Sequence, residues 1–187
     1  MHYRKKKAEE EKRTIVWVDE AGFYLLPMAV RTWAPRGQTP VLRVKLTRDH
    51  LSAISGITLD GRLFMQVRPT SYDAEAVVGA LRVYSYARSK ARLCSSGTAR
   101  LFIALTRSRT RLKRGAAKRL HLEQLPGYAP DLNPDEGIWN YLKRVELGNV
   151  CCSDLDQLYC KLIQAKERLR HKKEIIKSCS RQCGYVV

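Results

Sequence analysis

Residues 51–69, LSAISGITLDGRLFMQVRP, constrain the fold more than any other part of the chain. Two runs rich in apolar and β-branched residues flank Asp60-Gly61, a dipeptide suited to the positive φ angles of a tight turn, so the stretch is predicted to be an antiparallel hairpin. Upstream, Thr14 to Val18 (TIVWV) is a β-branched apolar run that stops at Asp19-Glu20, the pattern of a buried strand. RTWAPRGQTPVLRVKL (31–46), with a Pro-Arg-Gly turn, suggests two further short strands. SYDAEAVVGALRVYSYA (71–87) reads as a helix with Val77, Val78, Leu81 and Tyr84 on its apolar side, and RLHLEQLP (119–126) as a short strand entering a Pro-rich loop.

That loop ends in NPDEGIWNYLKRV, where helix-start signals coincide: Asn133 can cap, Pro134 suits the first helical position, and Glu136 lies three residues past the cap. From Ser153, SDLDQLYCKLIQAKERLRHKKEIIK reads as one long amphipathic helix with a Ser-x-x-Asp start and a basic last third. Residues 1–13 are expected to be a charged lead-in, the stump of something longer upstream, and 14–187 to make one domain. Strand, hairpin, helix, strand, helix predicts an α/β domain around a mixed sheet.

With 35 Lys and Arg against 18 Asp and Glu, the chain carries a formal charge of +17. Such a charge points to a polyanionic partner, most often nucleic acid, although a solvated surface is the plainer explanation. The imbalance is concentrated. No Asp or Glu occurs from Ala76 to Leu122, and twelve Lys or Arg fall between Arg82 and Arg119. No apolar run reaches the length of a membrane span, and the N-terminus is no signal peptide, so neither membrane nor secretion is expected. The six cysteines contain no CxxC pair, which argues against a zinc site or a disulfide framework and for free thiols in a cytosolic protein.

Two acidic positions stand out. Asp19 terminates the first strand, and Glu136 opens a helix that follows a later strand. Strand ends and helix starts are where α/β sheets present ligand-binding groups. Carboxylates suit hard cations such as Mg²⁺, and a two-ion site for phosphodiester cleavage needs about three of them converging from separate elements. On residue type alone, Asp19 as a turn cap and Glu136 as the capping-box partner of Asn133 remain open.

The flanking segments VWVDEAGFYLLPMAVRTWAPRGQTP and LPGYAPDLNPDEGIWNYLK resemble the two outer catalytic motifs of the DDE-superfamily transposases, in particular the mariner-like bacterial insertion-sequence group. The likeness covers about 14–83 and 113–187. It implies a ribonuclease-H-like fold, a mixed sheet flanked by helices. It also implies metal-dependent DNA cleavage and strand transfer in transposition, with Mg²⁺ or Mn²⁺ as cofactor. Asp19 matches the first metal-binding aspartate and Glu136 the third acidic member. Asp131 and Asp135 are neighbours that the family does not credit with the metal. Trp33, Pro35, Gly37 and Trp139 match positions read as structural. The implied partners are element-end and target DNA, with room for a homodimer, in the bacterial cytoplasm at the nucleoid. Family members also carry upstream helix-turn-helix units, which this chain lacks.

The family's middle motif, a hydrophobic strand ending in aspartate, belongs in the acid-free interval, where this chain has none. Written with permitted codons, the segment Cys94 to Leu105 yields LIWDGSPLHRS in another frame, which is that motif. About residues 84–112 are therefore expected to be translated out of frame, with ARLFIAL (Ala99 to Leu105) filling the disturbed central strand's slot and 84–112 packing worst. The copy would then be inactive. The alternative is a non-catalytic, basic DNA-binding protein derived from a transposase, using the drought and the Lys166 to Lys177 helix against phosphates.

Overall fold

The computed structural model describes residues 10, 14–73, 75–77, 79–80, 91–95, 120–126 and 129–185; for 91–95 and 120–124 it describes backbone pairing only. Five strands form one sheet in the order β3-β2-β1-β4-β5: β1 Thr14–Tyr24, β2 His50–Thr58, β3 Leu63–Arg68, β4 Ala91–Ser95 and β5 Leu120–Gln124. β2 runs antiparallel to both β1 and β3, while β4 runs parallel to β1 and β5 parallel to β4. Three helices follow: α1 Pro134–Asn140, α2 Leu155–Arg170 and α3 Lys173–Gln182. A 3₁₀ turn, Pro130–Leu132, precedes α1, and a π-helical turn, Tyr141–Glu146, continues it.

Strand alternation divides β1 between two cores. Trp17 and Phe23 join a cluster with Ile138, Trp139 and Leu142 of the α1 segment, with Leu158, Leu162, Ala165 and Leu169 of α2, and with Ile176 of α3. Val16 and Val18 point the other way and are also buried, as are Tyr72, Val77 and Ala80. β2 is buried along its length from Leu51 to Thr58, so both faces of the sheet centre are covered. The apolar spacing of α2, four then three then four, gives one stripe toward that core.

The predicted hairpin forms, with a three-residue loop. The Thr58 amide donates to the Arg62 carbonyl and the Gly61 amide to that of Thr58, and only Gly61 takes a positive φ, 80°. Glycine is needed there twice over: a Cβ would also lie 2.9 Å from the Lys173 carbonyl oxygen, where α3 begins. A second close approach fixes α1, since a Cβ on Gly137 would sit 2.7 Å from the Cys179 sulfur of α3.

Several expectations are corrected. Residues 31–46 form no strands. The Pro-Arg-Gly turn is present, with the Gln38 amide donating to Pro35 at 3.0 Å and Gly37 at φ 81°, but this segment is exposed throughout. It belongs to an arm that leaves the sheet at Leu25 and returns at Asp49, closed by a 3.0 Å bond from the Leu25 amide to the Asp49 carbonyl. Asn149, at φ 60°, clamps its root by accepting from the Val30 amide at 2.9 Å and donating to the Val30 carbonyl at 3.0 Å. Trp33, read as structural, lies on this arm and is fully exposed, because the two apolar runs beside it find no sheet edge to join.

The slot beside β1 is taken by Ala91–Ser95, not by Ala99 to Leu105, which lies outside the described residues; period-two pairing lets a different short run take the same place. Of the predicted 71–87 helix, 75–77 and 79–80 are helical and the other residues from 74 to 87 lie outside the described ones, as does most of 84–112. The long C-terminal helix is two helices that break at His171 and Lys172, and its cap is Asp154, whose carboxylate accepts from the Gln157 amide at 2.8 Å, rather than Ser153.

Replacing Gly61 by alanine is expected to destabilise the domain by about 1–3 kcal/mol, the sum of left-handed backbone strain and displacement of the start of α3. Denaturant unfolding of Gly61→Ala checks this, and an unchanged midpoint would contradict the turn geometry.

Candidate active site

Asp19 lies near the middle of β1, on the face that looks toward α1, and is 6% exposed. Glu20, one residue on, points to the opposite face, where its carboxylate is 3.5 Å from the Tyr72 amide. The Oδ2 atom of Asp19 accepts two hydrogen bonds, from Asn133 Nδ2 at 2.8 Å and from Trp139 Nε1 at 3.2 Å. Asn133 is the N-cap of α1 and Trp139 lies in its last turn; Glu136 stands midway between them, three residues from each, which on a helix places the three on neighbouring positions of one side.

Asn133 caps α1 as predicted, accepting from the Asp135 amide at 3.1 Å. The reciprocal half of a capping box is not made. The Asn133 amide donates instead to the Pro130 carbonyl at 2.9 Å, which leaves the Glu136 carboxylate for the cleft. Tyr185 braces the same turn by donating its hydroxyl to the Leu132 carbonyl at 2.8 Å, and its ring packs on Trp17 at 4.5 Å.

The structure therefore brings Glu136 close enough to Asp19 to feel its charge. Glu136 is at the rim, and its carboxyl is raised first by partial burial and then by the charge of Asp19. Burial also raises Asp19, opposed by the Glu20 backbone, Asn133, Trp139 and the ammonium of Lys143. Asp131 is exposed in the 3₁₀ turn.

Asp135 was seen in the sequence only as a neighbour, yet it is the most perturbed of the four. It is fully buried, and burial, then the charge of Asp19, pushes its carboxyl well above the usual range. The Ser55 hydroxyl donates to its Oδ1, while Oδ2 has no hydrogen-bond partner among the described residues. Ser55 is the direct cross-strand partner of Asp19, so the sheet itself carries both contacts to α1.

Sequence reasoning gave Asn133 a capping role and read Trp139 as structural, and missed that both hold Asp19. It also missed Ser55 and Lys143. The only signal for the first two is their spacing of three on either side of Glu136; nothing in the sequence pointed to the others. Phe23 meets Trp139 edge to face at 5.9 Å, and the Lys143 ammonium lies over the same ring at 5.3 Å.

A two-ion centre needs more carboxylate than this. Among the described residues, no group of three or more His, Cys, Asp or Glu side chains is arranged to hold a metal ion. One oxygen of Asp19 already accepts two bonds, and Asp135 is turned away toward Ser55. β4 pairs with β1 as far as Val18 opposite Ser95, and the sequence that follows, Ser96-Gly97-Thr98, contains no acid. The described residues do not fit a pair of divalent cations.

The mixed sheet with helices packed on it is ribonuclease-H-like in class. The chain matches the family model of the DDE superfamily endonucleases over residues 14–159, and it belongs to that family. Among solved structures it is similar to the Mos1 strand transfer complex, with TM-score 0.59 and 16% identity over 99% of this chain and 58% of that one. It is also similar to the mariner Mos1 paired end complex with Mg, with TM-score 0.56 and 16% identity over 99% and 59%. The catalytic domain of Mos1 mariner transposase gives TM-score 0.54 and 11% identity over 100% and 91%. At these identities the likeness is one of fold, and the chain spans about three fifths of the first two relatives. No curated protein matches the chain. Among the described residues, no helix is long and apolar enough to cross a membrane.

The buried Asp135 sets a pH dependence. Its folded pKa lies above 3.8, so it is compatible with the fold below that value and costs stability as pH rises through the folded pKa. In EDTA, Asp135→Asn is expected to melt higher than the parent at pH 8 by a few degrees, since about 1 kcal/mol moves a domain of this size by about 2–4 °C. The difference should shrink toward pH 4. A parent that melts higher than the variant at pH 8 would show that Asp135 is held as a stabilising anion.

Proposed function

We propose that this chain is the catalytic domain of a DNA transposase whose cleavage and strand-joining chemistry is lost in this copy. Asp19 and Glu136 are, on this reading, two of the three carboxylates that hold Mg²⁺ or Mn²⁺ in an intact enzyme, where the ions activate the attacking oxygen and stabilise the leaving one. The third belongs to the acid-free interval, and an out-of-frame segment over about 84–112 explains both its loss and the excess of Arg. The observation that carries the reading is the juxtaposition of Asp19 and Glu136 across β1 and α1, with Asp135 beside them held by Ser55 and no group of three acids among the described residues arranged to hold a metal ion.

The partner is DNA, and a homodimer acting in the bacterial cytoplasm at the nucleoid is the matching assembly and place. The Mg-containing Mos1 paired end complex supports divalent metal in the wider family. The purely DNA-binding alternative is weakened by the basic C-terminal segment: Arg168 and Lys172 pair with Glu146 at 2.7 and 3.1 Å, Arg170 with Glu167 at 3.4 Å, and Lys177 and Arg181 with Glu174 at 2.8 and 3.6 Å.

The chain is expected to bind DNA without sequence preference, losing about tenfold or more in affinity over a roughly fourfold rise in salt. Fluorescence anisotropy measures this, and salt-independent binding would remove DNA as the partner. Supercoiled plasmid incubated with the chain and Mg²⁺ or Mn²⁺ should remain unnicked. A chain with 84–112 recoded in the alternative frame, supplied with an upstream DNA-binding domain and element ends, should cleave, and Asp19→Ala or Glu136→Ala should abolish that cleavage. Nicking by the unrepaired chain that Asp19→Ala removes would overturn the account of lost activity.

A further inference from the structure

The backbone after α3 turns sharply back toward Asp19. Cys183 closes the helix, and Gly184 follows it at φ 77° with its amide on the Arg181 carbonyl at 2.9 Å. The Tyr185 amide then reaches the Ser180 carbonyl at 3.0 Å. This pair of bonds around a left-handed glycine is a common way to stop a helix, and it directs the next residue across the helix end. A Cβ on Gly184 would meet nothing within 4 Å, so the backbone angle alone calls for glycine there.

The residue so delivered is Tyr185. Its hydroxyl donates to the Leu132 carbonyl at 2.8 Å, and its ring packs on Trp17 with centroids 4.5 Å apart. Leu132 directly precedes Asn133, and Trp17 lies two residues before Asp19, on the same face of β1. Asn133 in turn donates to Asp19 at 2.8 Å. Tyr185 therefore bridges the same two segments as that bond, and touches each within two residues of the bonded pair.

We propose that Tyr185 is a positioning residue of the site, tying the Pro130–Leu132 turn to β1 so that the Asn133 amide meets Asp19 and α1 starts where it can carry Glu136 alongside. The proposal rests on the reading of Asp19 and Glu136 as the functional pair, and extends that site to a residue beyond α3.

Three observations support it. The 3₁₀ turn is three residues long and holds itself through two backbone bonds, from the Leu132 amide to Ala129 at 3.1 Å and from the Asn133 amide to Pro130 at 2.9 Å. Such short turns have poor hydrogen-bond geometry, so an outside tie has leverage over where they sit. Secondly, Asn133 serves two partners. Its Oδ1 accepts from the Asp135 amide within α1, and that contact moves with the helix. Its bond to Asp19 depends instead on how far the helix start lies from the sheet, which is the distance Tyr185 spans. Thirdly, Trp139 donates to the same Asp19 oxygen from the last turn of α1. Trp139 and Tyr185 thus restrain the helix at opposite ends, and an aromatic ring that only filled space would need no hydroxyl contact to do so.

Hydrogen exchange followed by NMR on the full chain, with EDTA and without DNA, tests the proposal. Tyr185→Phe keeps the ring and removes only the hydroxyl. Exchange at the Asn133 amide and the Trp139 indole N–H should quicken by about 3- to 10-fold, the effect of losing one neutral hydrogen bond, while the Leu162 and Leu169 amides of α2 keep their rates. Unchanged rates at Asn133 and Trp139, or an equal rise in α2, would reduce Tyr185 to packing and overturn the proposal. A second measurement uses Asn133→Ser, which retains a capping hydroxyl but loses the amide that meets Asp19. If Tyr185 acts through Asn133, the fall in denaturant midpoint caused by Tyr185→Phe should shrink to about half or less in the Asn133→Ser background. Equal falls in both backgrounds would show an independent structural role and also overturn it. Neither measurement involves metal or DNA, so failure here leaves the transposase reading untouched, and failure of the recoded chain to cleave leaves the Tyr185 result standing.

Discussion

The paired hydrogen bonds that Asn133 and Trp139 make to one oxygen of Asp19 are the contact on which the rest of the molecule turns. They span 114 and 120 residues of sequence, and so fasten the first strand of the sheet to the first well-defined helix after the acid-free interval. Each charge-assisted bond is stronger than a neutral one in the same place, and both are shielded from water. The helix is then held from its other side by the close approach of Gly137 to Cys179, which only a residue without a side chain permits. The orientation of α1 is thus set by polar contacts to β1 and by packing on α3, and Glu136 is carried to the cleft by a helix it does little to hold.

That arrangement concentrates negative charge in a strongly positive chain. Asp19, Asp135 and Glu136 lie within reach of one another's fields, and each carboxyl is raised first by burial. Like charges in a low-dielectric setting compete for protons or cations. Asp135 is screened by a hydroxyl and turned inward, so what remains for the cleft is a pair of carboxylates with one lysine beside them. A pair is too little to neutralise two divalent ions and enough to need at least one positive group.

The net charge of +17 says less about function than its distribution. On α2 and α3 the cations are matched by Glu146, Glu167 and Glu174, in contacts that are mostly exposed and contribute little to stability. The arm between Leu25 and Asp49 carries Arg31, Arg36, Arg43, Lys45 and Arg48 with no acidic residue between Leu26 and Arg48, and shares its exposed surface with Trp33. Basic surface is therefore uneven, paired on the helical side and unpaired along the arm among the described residues.

The sequence alone determined the elements whose signals are local. The Asp60-Gly61 hairpin, the start of the TIVWV strand and the Asn133-Pro134 helix start all follow from backbone preferences acting within a few residues, whereas the expected strand end at Asp19 was wrong, because pairing with β2 carries β1 on to Tyr24. The absence of an acid from Ala76 to Leu122 was equally plain without coordinates. Residues 31–46 failed for the same reason: strand propensity was present, but only a neighbouring edge makes a strand, and the fold offers none there. Tertiary structure alone decided that Asn133 and Trp139 grip Asp19, that Asp135 is fully buried on Ser55, and that a π turn lays Lys143 across Phe23. These contacts join residues 80 to 120 positions apart, and no local pattern encodes them, because they exist only once the sheet has fixed where α1 must lie.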